Sequence, residues 1–175
     1  MSPCEHLVQI YEDDDSCLDS LQGFVEGGLR LGEAVVVIAT APHLASLATR
    51  LEAAGWDMKD ICARNQYIPL DAEQTLSKFV IDGWPDEYLF IEVVSDIIHR
   101  AGKGGRRVRA FGEMVAVLWA QGHHTSTVRL EHLWNRLCQQ RPFPVFCAYP
   151  KSGFSQSAGE SIRAICATHS QIISE

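Results

Sequence analysis

The chain has 175 residues, 46% of them apolar, enough to bury one substantial core, and no linker-like tract divides it, so a single domain is expected. A formal charge of −7 with interspersed acidic residues argues against a nucleic-acid surface, because phosphate neutralisation needs clustered Lys and Arg. Apolar runs such as 34–39 fall far short of the roughly 20 residues that cross a bilayer.

Strand-like and helix-like patterns alternate along the chain, which predicts an α/β fold with a mainly parallel central sheet flanked by helices. His6 to Tyr11 reads as the first strand, and Asp13 to Asp15 supply an acidic helix start. The helix that follows carries Leu18, Leu21, Phe24, Val25 and Leu29 at helical spacing and ends at Gly27-Gly28 or at Gly32. Ala34 to Ala39 is apolar throughout, as a central strand covered on both faces would be. A short helix over 43–54 closes at Gly55, and Tyr67 to Leu70 forms a third strand. Asp71 caps the next helix, with Gln74 three residues on in a capping-box pattern.

A helix from about Asp86 to Ala101 ends at Gly102, Gly104 and Gly105, and the basic cluster from Lys103 to Arg109 reads as a solvated turn leading into a strand. Val108 to Phe111 is that strand, broken at Gly112. Two helices follow, over 113–120 and 128–139, separated by a Gly122-His123-His124 turn. Val145 to Ala148 is the last strand, and 159–173 the last helix. Six cysteines, at 4, 17, 62, 138, 147 and 166, include no CxxC pair and no metal-finger spacing. Cys138, Cys147 and Cys166 lie in apolar patterns, where a thiol behaves as a small hydrophobe, and with no signal peptide this usage predicts a reduced, cytoplasmic compartment.

The strand at 34–39 is placed as one that leads into a phosphate-binding loop, yet no such loop follows. A phosphate loop uses glycines to aim backbone N–H groups at phosphate oxygens, a lysine for charge and a hydroxyl for magnesium. Residues 40–47 offer only Thr40 and Ser46, Pro42 removes a donor, and the nearest cation is Arg50. Nucleotide hydrolysis is therefore not expected.

Six blocks now stand in order: His6-Leu-Val-Gln-Ile-Tyr11, Gly28-Leu-Arg-Leu-Gly-Glu33, Arg109-Ala-Phe-Gly-Glu-Met114 with Leu118-Trp119, Leu130-Glu131-His-Leu-Trp134-Asn135, Phe146-Cys-Ala-Tyr-Pro150 and Ile165-Cys-Ala-Thr-His169-Ser170. Together they resemble the MEDS family, the sensory domain of methanogen and methylotroph regulators of the dichloromethane-responsive type, over about residues 5–170. The resemblance implies a degenerate RecA/KaiC-like scaffold, P-loop-NTPase-like but without a functional Walker A loop. It implies a non-catalytic signal-input domain that senses a small molecule, hydrocarbon derivatives among them. The partner it implies is a signalling protein, a histidine kinase of a two-component system or a transcription regulator. Two other readings stay open: a ligand-free protein-interaction domain in a kinase or sigma-factor circuit, and a residual nucleotide-binding ATPase-like protein. The chain stops soon after the last block, so output in trans, or from a longer protein, is expected. Related folds assemble through their side surfaces, and a homo-oligomer is expected on that ground.

Open parallel sheets bind ligands outside the carboxyl ends of their strands. The ligand-binding candidates are accordingly Tyr11, Glu12, Thr40, His43, Arg109, Glu113 and Tyr149. Glu113 either caps the helix beside it or bonds a ligand, and Arg109 either pairs with Glu113 or Glu131 or reaches the site. Trp119 and Trp134 are candidates for a partner or ligand interface, with the core as the competing place for both. No cofactor, no metal and no catalytic residue is expected. His6 and His169 meet only if tertiary folding brings them together, and no His-Glu-x-x-His spacing is present.

Overall fold

The computed structural model describes residues 4–154 and 159–173. Asp13 opens the first helix, α1 (Asp14–Arg30), by accepting a hydrogen bond from Ser16 N at 2.8 Å, immediately after β1 (His6–Tyr11). α1 runs through Gly27 and Gly28, and the chain turns only at Gly32, where φ is +73°. Gly28 is needed for packing: a Cβ there would lie 2.7 Å from Val35 Cγ2 and 2.9 Å from Arg109 Cδ, so the helix could not come this close to the sheet with any larger residue.

β2 (Ala34–Ala39) is buried along its whole length and leads into α2 (Ala41–Ala53) and α3 (Met58–Ala63). β3 (Tyr67–Asp71) places Pro69 on an edge strand, where a missing N–H is tolerated. Asp71 then caps α4 (Ala72–Leu76) by accepting from Gln74 N at 2.9 Å. A hairpin of β4 (Val80–Ile81) and β5 (Trp84–Pro85) turns on Asp82 and Gly83, both with positive φ, and α5 (Glu87–Ala101) follows with Asp86 as its cap. After β6 (Val108–Gly112) come α6 (Met114–Ala120) and α7 (His124–Gln140), then β7 (Val145–Pro150), a 3-10 turn over Lys151–Gly153, α8 (Gly159–Ala167) and β8 (Gln171–Ile173).

Six strands form one all-parallel sheet in the order β3-β2-β6-β7-β1-β8. Side-chain alternation along β2 divides the core. Val35, Val37 and Ala39 pack with α1, α2 and α3 on one face, whereas Ala34, Val36 and Ile38 pack with α4 to α8 on the other. The expected α/β fold with a parallel sheet is therefore the observed one.

Three sequence expectations are corrected here. The last helix ends at Ala167, and residues 171–173 leave it to extend the sheet beside β1, with Ser170 N donating to His6 O at 2.8 Å and His6 N donating to Ser170 Oγ at 2.9 Å. Thr168 and Ser170 favour the exit, because short hydroxyl side chains compete with helical backbone bonds, and Thr168 Oγ1 donates to Ile165 O at 2.7 Å. α7 begins at His124, four residues earlier than its apolar pattern suggests. Cys138 is not a simple buried thiol: it forms a disulfide with Cys4, joining α7 to the segment just before β1. No helix among the described residues is long and apolar enough to cross a membrane.

Two outcomes follow from this packing. Gly28→Ala is expected to destabilise by about 1–3 kcal/mol through overpacking against Val35, measurable by urea unfolding. Denatured, unreduced protein is expected to titrate four thiols, those of Cys17, Cys62, Cys147 and Cys166, and six after reduction.

Candidate functional site

The turn after β2 and the turn after β6 lie side by side at the carboxyl edge of the sheet. α2 leaves β2 on one face and α6 leaves β6 on the other, which makes the junction of these two strands a topological switch point. Glu113 sits there, 2% exposed, with its backbone N–H bonded to Ile38 O at 2.9 Å. Its carboxylate bridges to the neighbouring strand, accepting from Thr40 N at 2.8 Å through Oε2 and lying 2.5 Å from His43 Nδ1 through Oε1. His43 Nε2 is 3.3 Å from Asp14 Oδ1 in the first turn of α1, and the Tyr11 ring meets the imidazole edge-on at 6.4 Å.

This arrangement answers the question raised by the missing phosphate loop. Thr40 is the N-cap of α2, the position where helix N–H groups attract an anion, and the anion there is the protein's own Glu113 carboxylate. Glu113 precedes α6 without capping it through its side chain, so it fills neither of its two expected roles in their simple form. Its hydrogen bond raises the His43 pKa, which burial alone would lower, and the charges of Glu113 and Asp14 add to the rise. Burial pushes the Cys17 thiol and the Tyr11 phenol upward, and the nearby carboxylates push them further. Cys17, His43 and Glu113 place donor atoms within 4.8 Å of one another, but Glu113 and Asp14 already engage both imidazole nitrogens.

A second buried cluster lies on the opposite face, between the sheet and the helices α7 and α8. Glu131 of α7 is fully buried. Its Oε2 is 3.2 Å from His6 Nε2, 3.2 Å from His169 Nε2 and 3.6 Å from Cys147 Sγ, while Tyr149 donates its hydroxyl to Oε1. The rings of His6 and His169 stand 4.0 Å apart, so the fold does bring these two histidines together. Burial on its own would raise the Glu131 carboxyl, but the neighbouring imidazoles of His169 and His6 reverse it and hold the group well below the usual carboxylate range. Burial also lowers a histidine, yet the Glu131 charge leaves His169 raised. The Cys147 thiol and the Tyr149 phenol are both pushed well up, by burial first and by Glu131 second.

The seven ligand-binding candidates thus separate. Tyr11, Thr40, His43 and Glu113 converge at the switch point. Tyr149 belongs to the Glu131 cluster instead. Arg109 pairs with neither Glu113 nor Glu131. It lies toward the start of β6, where it contacts Glu33 at 2.5 Å, donates to Phe24 O at 3.1 Å and covers the Phe24 ring. Glu12 pairs with Lys151 at the rim of a cleft of about 320 Å³ lined by Ile10, Phe154, Ile162, Ile172 and Ile173. A groove of about 710 Å³ opens near the amino ends of β6 and β7, lined by Arg106, Arg107, Arg141 and Glu33 among others, which is the end of a parallel sheet that does not ordinarily bind ligands.

Of the two places open to Trp119 and Trp134, the core and an interface, both take the core, at 3% and 1% exposed. Trp119 stacks on His124 and donates Nε1–H to Gly153 O at 2.7 Å, and Trp134 packs edge-on against Phe90. Sequence reasoning missed Asp14, Cys17, Glu131 and Cys147 as site residues. Asp14 was visible as an acidic residue in the first turn of a helix following the first strand, but its pairing with His43 depends on how α1 and α2 meet.

The architecture is a parallel-sheet α/β protein whose switch-point crevice holds its own carboxylate at the helix that follows β2. The chain belongs to the MEDS family, the methanogen/methylotroph, DcmR sensory domain, whose model matches residues 5–170. No curated protein matches the chain.

Because His43 binds its proton more tightly folded than unfolded, its contribution to stability is fully present below the ordinary imidazole pKa of about 6.5 and is lost as pH rises through the higher folded value. Asp14, Glu113, Cys17 and Tyr11 are the titratable groups around it, and His169 shifts in the same direction elsewhere. The expected result is that the stability difference between wild type and His43→Gln shrinks as pH rises above the imidazole range. A difference that stays constant between pH ~5 and ~9 in urea unfolding would remove the proton-linked role of His43.

Proposed function

We propose that the protein is a non-catalytic signal-input domain that binds a small, largely apolar molecule and controls a partner signalling protein such as a histidine kinase or a transcription regulator. Membership of a sensory-domain family supports the class. The observation that carries the ligand is the cleft beside the carboxyl end of β1: about 320 Å³, floored by isoleucines and Phe154, with the charged pair Glu12 and Lys151 at its rim. Small-molecule sites have this composition, an apolar lining with a few polar groups that set orientation, and the volume lies at the small end of their range.

Strand alternation links the cleft to the switch point. Ile10 and Glu12 face the cleft, and Tyr11 between them points through the sheet to His43. A ligand that shifts the end of β1 therefore acts on the buried His43–Glu113 pair, which spans α2 and the β6–α6 turn. Hydrolysis has little support, since both Glu113 oxygens are already engaged and Asp13, Asp14 and Asp15 crowd the turn after β1 with negative charge.

The ligand-free interaction reading is favoured by one observation, the exposed apolar side chains of the hairpin and of α5. Ile81 and Trp84 pair in register and are 53% and 48% exposed, and Tyr88 and Ile91 lie one turn apart on the helix that follows. A thermal-shift panel of short oxygenated and halogenated hydrocarbons separates the two readings. A ligand at about 100 times its Kd is expected to add ~2.7 kcal/mol, a rise of roughly 5–10 °C in Tm. Ile162→Trp, which fills the cleft, is expected to abolish the rise. No shift with any compound, together with partner capture by the ligand-free protein that is lost in Trp84→Ser, would favour the interaction domain.

A further inference from the structure

The buried cluster around Glu131 has the geometry of a metal centre. A zinc ion bonds His nitrogen at about 2.0–2.1 Å, carboxylate oxygen at about 2.0–2.2 Å and cysteine sulfur at about 2.3 Å, so donors at the corners of a tetrahedron around it stand about 3.2–3.7 Å apart. Glu131 Oε2 lies 3.2 Å from His6 Nε2 and 3.2 Å from His169 Nε2. Cys147 Sγ lies 3.5 Å from His6 Nε2 and 3.6 Å from Glu131 Oε2. These are four edges of such a tetrahedron, and all four donor atoms fall within 4.8 Å of one another.

Hydrogen bonding alone accounts poorly for the same cluster. His169 Nε2 is buried 3.2 Å from Glu131 Oε2, yet the approach lacks the geometry of a directed hydrogen bond. A buried imidazole nitrogen aimed into a group of donors without bonding any of them is costly unless something accepts its lone pair. The surroundings of His169 and Glu131 also match what metal ligands require. His169 Nδ1 is 2.5 Å from Ile165 O, which fixes the other nitrogen as the free one, and the Tyr149 hydroxyl bonds the Glu131 oxygen that does not face the cluster.

We propose that His6 Nε2, His169 Nε2, Glu131 Oε2 and Cys147 Sγ bind one divalent transition-metal ion, with zinc the best match to a mixed nitrogen, oxygen and sulfur donor set. On binding, the Cys147 S–H bond breaks, its proton leaves to solvent and the sulfur bonds the metal; both imidazoles bind in the neutral form and Glu131 as the carboxylate. Four protein ligands, all with buried side chains, make this a closed, structural site. It ties β1, α7, β7 and the α8–β8 turn together, and it is separate from the cleft proposed for the small molecule. It also departs from the sequence expectation of no metal, which rested on the lack of any local ligand spacing.

The test uses the full chain, stripped by a chelator under reducing conditions and titrated with cobalt(II), then with zinc. Expected are one equivalent bound, tetrahedral d–d bands in the visible, a thiolate-to-cobalt charge-transfer band in the near ultraviolet, and loss of all of these when zinc is added. Cys147→Ser is expected to lose the charge-transfer band, whereas Cys62→Ser, on the opposite face, keeps it. Tyr149→Phe is expected to weaken metal affinity about 10–100-fold. If Cys147→Ser fails to fold, the wild-type stoichiometry and spectrum decide alone. Folded wild type that binds well under one equivalent, that gives an octahedral cobalt spectrum, or whose thiolate band survives in Cys147→Ser would overturn the proposal. None of these results depends on whether the cleft binds a ligand.

Discussion

A carboxylate with no solvent around it is the constraint that organises one half of this molecule. Glu131 is buried inside α7, and an isolated charge there would cost far more than any one helix contributes to folding. It is tolerable because the strand that begins at His6, the strand that holds Cys147 and Tyr149, and the turn that ends in His169 all deliver polar partners to it. Removing one partner of such a group costs about 3–5 kcal/mol, so the cluster specifies how these elements meet. The Cys4–Cys138 disulfide joins α7 to the chain before β1 a second time. Glu131 and Cys138 are two helical turns apart, so the helix is held near the start of β1 at two heights, about 10 Å apart along its axis.

The other face has its own buried carboxylate, used differently. Glu113 accepts a backbone N–H at the start of α2 and an imidazole that is tied in turn to the first turn of α1. In an enzyme that grips phosphate, the anion at a helix start comes from the substrate. Here it is supplied by the neighbouring strand and cannot leave. That converts a ligand seat into an internal brace between β2 and β6, and it moves the available space outward to the cleft beside β1. The two carboxylates lie on opposite faces of one sheet, so a displacement at the end of β1 bears on both, through Tyr11 on one face and through the strand carrying His6 on the other.

Much of the fold was legible because its signals are local. β2 is a continuous apolar run, α1 and α5 have acidic starts and regular stripes, and Asp71 caps its helix through a bond made within three residues. The Asp82-Gly83 hairpin was equally local, a turn pair between Ile81 and Trp84, but it was not among the expected elements. β8 was not legible in the same way. Residues 171–173 continue an apolar pattern that suits a helix, and only the open edge of β1 draws them into the sheet. At the carboxyl edge, Thr40, His43 and Glu113 could be placed together once the strands were placed, because each lies just past a strand end. Arg109 was misplaced because it sits early in its strand, where it packs under α1 beside Gly28.

The Glu131 cluster could not be found by spacing, and the reason is topological. Its donors come from positions 6, 131, 147 and 169, and β7 and β1 are neighbours in the sheet although they stand at opposite ends of the chain. A zinc finger announces itself because short loops hold its ligands together before folding. A site assembled by a parallel sheet has no such signature, since its ligands meet only after the crossovers have formed. What remains in the sequence is one polar residue inside each of several apolar blocks: His6 in the first strand, Glu131 among Leu130 and Leu133, Cys147 in the last apolar strand and His169 after the last helix. Each has a bland reading alone. Burial changes the inference, because a polar residue that the fold places fully inside needs partners, and four such residues in one place identify each other as those partners.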